Sequence, residues 1–152
     1  MKLGAALALS ASALCAACSH PAPDATPDGA VREWLDHMED SQDDPAASRE
    51  AYALLGPQAR ANLEQRAARS SQLQGRRTEP YEILAEGRFG LKFRPKSMKP
   101  TAMGDEASVL VLGADPATEH ATVKCVHEEG GWRVEPGLPE VSPLTMRPDG
   151  GV

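Results

Sequence analysis

Residues 118–135 read TEHATVKCVHEEGGWRVE, and this stretch decides the fold. From Thr118 to His127 the side chains divide between two faces. One face carries Ala121, Val123, Cys125 and His127; the other carries His120, Thr122, Lys124 and Val126. A period of two is the mark of a β-strand. Glu128-Glu129-Gly130-Gly131 then offers a tight reversal, because glycine takes up the positive φ that short hairpin turns demand. Trp132 and Val134 alternate with Arg133 and Glu135 in the return strand, which Pro136-Gly137-Leu138-Pro139 ends. The pair predicts an antiparallel hairpin with an inward tryptophan.

Upstream, Ala107 to Leu112 is a Val- and Leu-rich run between the turns Gly104-Asp105-Glu106 and Gly113-Ala114-Asp115-Pro116. It predicts a strand buried on both faces. Phe89, Leu91 and Phe93 alternate with Arg88, Gly90, Lys92 and Arg94, predicting a further half-buried strand. Pro95 and Pro100 confine the next segment to an edge or an irregular strand.

Before Gly87 the period is about 3.6. Thr26-Pro27-Asp28 opens a helix with a cap, a proline in the first turn and an acid near the positive end. Val31, Trp34, Leu35 and Met38 form its apolar stripe. A second helix is expected from Pro45 to Leu55, offering Ala51, Leu54 and Leu55 to a core. Gly56-Pro57 starts a third, to about Leu73, with Ala59, Leu63 and Ala67 on one side. Thr78-Glu79-Pro80 caps a short turn through Leu84. Helices first and an antiparallel meander after give an α+β fold, a single domain over 27–140 with N-terminal helices packed on a curved sheet.

The first helix, the run Tyr52 to Leu63 (YALLGPQARANL) and the hairpin Glu129 to Val134 (EGGWRV) resemble small bacterial lipoproteins of the nuclear transport factor two-like superfamily. The resemblance covers about Pro27 to Pro139 and implies a cone-shaped, cystatin-like α+β fold. That superfamily includes isomerases, dehydratases and cyclases, so the fold does not choose an activity.

The N-terminus supplies an address. Met1-Lys2 is a charged start, and Leu3 to Leu14 is an uncharged run of about 12 residues, too short for the roughly 20 that span a bilayer. Residues 1–17 read as a secretory signal peptide. Leu14-Cys15-Ala16-Ala17-Cys18 resembles a bacterial lipobox, with Cys15 where Leu is usual. The resemblance implies cleavage before Cys18, lipidation of Cys18 and acylation of its amino group. Ser19, with no Asp there, implies the outer membrane. The alternative is plain cleavage after an alanine and a soluble periplasmic protein. Residues 18–26, with Pro21, Pro23 and Pro27 in or beside them, read as an extended tether. Residues 141–152 read as a flexible tail.

The whole chain has 16 Lys+Arg against 22 Asp+Glu, net -6, which argues against a nucleic-acid partner. Three cysteines are too few for a disulfide scaffold. No sequence motif for a cofactor or a metal is present. The segment from Ala51 to Gly104 holds 10 basic and 4 acidic residues. These basic side chains, Arg60, Arg66, Arg69, Arg76 and Arg77 among them, are expected to pair with the acidic flanks rather than with a partner.

Cys125 and His127 share a strand face, but no second ligand pair is visible, so Cys125 reads as a buried thiol. Asp36, His37, Tyr52, Tyr81 and His120 could serve an isomerase-like site, although no motif fixes their geometry. Tyr52 and His127 remain the candidate ligand contacts. The sequence therefore points to a lipid-anchored envelope protein, a non-catalytic binding or accessory module acting through a protein partner or a small apolar ligand. The alternative is a periplasmic isomerase-like or hydratase-like enzyme with its site in the cone.

Overall fold

In the computed structural model, which describes residues 22–87 and 89–141, each of the four α-helices starts on a proline. They are α1 (Pro27–Asp40), α2 (Pro45–Ala53), α3 (Pro57–Gln74) and α4 (Pro80–Glu86). Proline suits the first helical position because the N–H it lacks has no partner there. The caps are local too. Thr26 Oγ1 accepts from the Gly29 N–H at 3.1 Å, Asp44 from Ala46 at 2.8 Å, and Glu79 and Glu82 form a reciprocal capping box. Gly75, at φ 65°, closes α3 in the left-handed conformation.

Four antiparallel strands follow in the order β1 (Ser97–Met103), β2 (Glu106–Leu112), β3 (His120–Glu128) and β4 (Gly131–Glu135). Helices packed on an antiparallel sheet make this an α+β fold, as the sequence predicts. The inner sheet face presents Val109, Val111, Val123, Cys125, Trp132 and Val134, all buried. Against it lie Ala30, Val31, Trp34 and Met38 of α1, with Ala51, Leu55, Leu63 and Leu84 from the other helical segments. Each Leu or Val so buried contributes about 1.5–3 kcal/mol.

Three sequence expectations are corrected. Residues 89–93 form no strand; Phe89, Leu91 and Phe93 pack on the core from an irregular path. Their alternation records which side touches the core, and no neighbouring strand is in register with them. The strand lies eight residues later, where Ser97–Met103 pairs residue for residue with Leu112–Glu106, and Pro100 sits on the sheet edge. Second, β2 is not buried on both faces: Ala107, Val109 and Val111 are buried while Glu106 and Ser108 are exposed. Among the described residues no layer covers the outer sheet face. Third, Pro23–Ala25, expected to be extended, form a 3-10 turn folded onto the domain. The expected signal peptide (1–17), Cys18 and all but the first residue of the expected tail (141–152) lie outside the described residues.

The connection between α2 and α3 closes one sheet edge. Val134 N–H donates to Leu54 and Gly56 N–H to Val134, both at 2.8 Å. The β1–β2 and β3–β4 turns share one end of the sheet, and loop 113–119 marks the other. Helix α1 starts at the hairpin-turn end, where the Cys125 thiol reaches the Pro27 carbonyl at 3.9 Å. It finishes beside Ser97 and Met98, at the loop end.

Candidate functional site

The residues singled out in the sequence do not converge. Tyr52, on α2, donates its hydroxyl to Glu64 Oε1 at 3.1 Å. Burial, then the Glu64 hydrogen bond and charge, raise its pKa above the ordinary phenol value. His127 stands exposed on β3, edge-on to the Trp132 ring at a centroid distance of 5.1 Å. Cys125 is buried beside Pro27, and burial, then the charge of Glu135, push its thiol up to about 12. His37 lies between Glu50 at 3.2 Å and Glu33 at 3.7 Å, bridging α1 and α2. Tyr81 lies under Arg49, whose guanidinium carbon is 4.8 Å from the ring centre. His120 is exposed at the start of β3.

One concavity stands out, an open groove of about 1070 Å³ between the C-terminal half of α1 and the chain 90–98, an irregular stretch that runs into the start of β1. Leu35 and Met38 come from the apolar stripe of α1, and Leu91, Phe93 and Met98 come from the facing segment. The rim is charged: Arg32, Asp36 and Glu39 on the helix, Lys92, Arg94 and Lys96 opposite. Arg94 donates to Glu39 at 2.8 Å and joins the two walls. The volume suits a small ligand or a short peptide segment. Of the sequence candidates, only Asp36 lines it.

Sequence reasoning missed the groove because the walls are far apart in the chain. The available signal was the alternation Leu91-Lys92-Phe93-Arg94, with the apolar residues partly buried and the cations exposed.

The basic segment finds partners within the domain. Arg60 binds Glu128 at 3.0 Å and Arg94 binds Glu39, one from each acidic flank. Arg76 and Arg77 pair locally with Glu82 and Glu79. Arg66 donates to Asn62 and to the Pro139 carbonyl, and faces the Phe89 ring. Among the described residues no three His, Cys, Asp or Glu side chains gather as a metal site would require. No helix among them is long and apolar enough to cross a membrane.

The chain matches no protein-family model, no curated protein and no solved structure.

Proposed function

We propose that this chain is a bacterial lipoprotein, held in the cell envelope by lipid on Cys18, and in the outer membrane where the host has two. There it acts as a non-catalytic binding or accessory module, taking a protein segment or a small apolar ligand into the groove beside α1. One observation carries the reading: the uncharged run Leu3 to Leu14 ends in Leu14-Cys15-Ala16-Ala17-Cys18, and the folded domain begins only five residues later, at Pro23. Several acyl chains on one residue meet the two-anchor requirement for stable attachment. Metabolic labelling with a tagged fatty acid tests it. Labelled wild type and unlabelled Cys18→Ala are expected; a Cys18→Ala chain labelled as well as wild type sinks the anchor.

The rival, a periplasmic isomerase-like or hydratase-like enzyme, needs complementary titratable groups in a water-poor cavity. Asp36 and Glu39 on the groove wall are exposed, and Glu39 is held by Arg94. This arrangement favours binding. A turnover lost in Asp36→Asn without loss of stability would favour the enzyme instead.

A further inference from the structure

The basic segment is matched unevenly. Arg60, Arg76, Arg77 and Arg94 are ion-paired, but the lysines of the same stretch are not. From Phe89 to Gly104 the chain holds Lys92, Arg94, Lys96 and Lys99 and no acid, although the whole sequence is net -6. Lys92 and Lys96 stand on one wall of the groove and Arg32 on the other, all three exposed. Among the described residues none of the three meets an acid within ion-pair distance. With Arg94 they make four rim cations against two acids, Asp36 and Glu39, and Arg94 already binds Glu39. Unmatched positive charge therefore flanks an apolar floor of Leu, Met and Phe side chains on both sides.

Resting on the proposed reading of the groove as a binding site, we infer that its occupant is an acidic, extended segment of a partner protein. The lining of α1 runs from Arg32 to Gln42. Ten steps at a rise of 1.5 Å per residue make a wall of about 15 Å. At about 3.3 Å per residue that wall accommodates four or five residues of extended chain. Alternate side chains of such a segment enter the floor, and those between them lie at the height of the rim, among the cations. Apolar residues suit the first set and Asp or Glu the second. Met38 and Met98 let the floor adapt to differing apolar shapes. Small-molecule sites enclose about 70–90% of their ligand, which an open groove does not. Addition of the segment as a further strand is disfavoured. Strand β1 is a sheet edge, but Pro95 and Pro100 have no N–H and the Lys96 N–H is spent on the Leu112 carbonyl at 2.8 Å. Recognition therefore falls to side chains, and the rim charges select the partner and speed its arrival.

The test measures fluorescence anisotropy of labelled peptides with the full chain in a nonionic detergent. One probe alternates glutamate with leucine, a second glutamine with leucine, and a third glutamate with serine. The glutamate–leucine probe should bind tightest, with the glutamine–leucine probe weaker by about tenfold. The glutamate–serine probe should be weaker too, because it leaves the floor empty. Lys92→Gln with Lys96→Gln should weaken the glutamate–leucine probe about fivefold. Lys99→Gln with Lys124→Gln removes the same charge from exposed positions on the outer sheet face and should leave binding within about twofold. Equal binding of the glutamate and glutamine probes, or equal losses in the two double variants, overturns the inference while the groove remains a binding site. Dodecanoate binding more tightly than the glutamate–leucine probe assigns the groove to a small amphiphile and also overturns it. Failure of every probe, dodecanoate included, removes the reading of the groove as a binding site, and the inference with it.

Discussion

Arg133 and Asp24 are 109 positions apart, yet the guanidinium of one donates to the carboxylate of the other at 2.6 Å. Both side chains are mostly shielded, at 17% and 18% exposure, and Glu128, held by Arg60, lies 4.0 Å from the same arginine. A shielded, charge-assisted pair is worth more than a surface ion pair, whose median is about 0–1 kcal/mol. Arg133→Ala and Asp24→Asn are each expected to lower stability by about 1–2 kcal/mol. Denaturant midpoints check this, and a double-mutant cycle should return a clear coupling. Two unchanged midpoints would show that the N-terminal turn is not held by this pair.

Gly131 and Gly104 separate backbone strain from crowding. Both have positive φ, 139° and 65°. A Cβ at Gly104 meets nothing within 4 Å, but one at Gly131 would lie 2.7–2.8 Å from the Asp24 carboxylate and carbonyl oxygen. Gly104→Ala should lose about 1–2 kcal/mol from φ alone. Gly131→Ala should lose visibly more and expose the chain before α1 to protease. Equal losses would mean that the turn gives way freely.

Trp34 fills the centre of the core at 1% exposure, and its indole Nε1 has no hydrogen-bond partner among the described residues. A buried unpaired N–H costs about 1–3 kcal/mol. Trp34→Phe removes that group along with some volume, so the two effects oppose each other. Trp34→Ala removes the same N–H but opens a far larger cavity, and should cost about 3–5 kcal/mol. Thermal melts should place the Phe variant much nearer to wild type. A Phe variant as damaged as the Ala variant would show that packing of the indole alone governs the site.

Helix ends were legible because their determinants are neighbours in sequence: Thr26 with Gly29, Asp44 with Ala46, and a proline opening each helix. The glycine turn at 130–131 was legible for the same reason. The start of α3 shows the limit. Gly56 has no side chain to cap with, and the Gln58 and Ala59 N–H groups, both at 2.9 Å, go to Glu135, 77 and 76 positions away. Strand β1 was legible only as an edge or irregular segment, through Pro95 and Pro100; its bounds and register come from pairing with β2. Of its seven residues only Met98 is even partly covered, so no alternation marks it. The groove was hidden likewise, since Glu39 and Arg94 meet across 55 positions.

The last prediction concerns Cys125, whose thiol is buried and whose pKa rises to about 12, first through burial and then through Glu135. An unfolded cysteine titrates near 8.5. Between those values the folded chain keeps a proton that the unfolded chain gives up, so stability must fall as pH rises. The contribution is whole below about pH 8.5 and drains away toward pH 12. Cys125→Ala is expected to be less stable than wild type near neutrality, because it leaves a small void. Its midpoint should nevertheless fall less steeply from about pH 8 to about pH 11. The wild-type thiol should react with iodoacetamide only as fast as the domain unfolds, since the thiolate is the nucleophile and the folded site suppresses it. Identical alkaline slopes in wild type and Cys125→Ala would show that the thiol ionises freely in the folded domain. Fast labelling of the folded chain would show that β3 opens without α1 leaving the sheet.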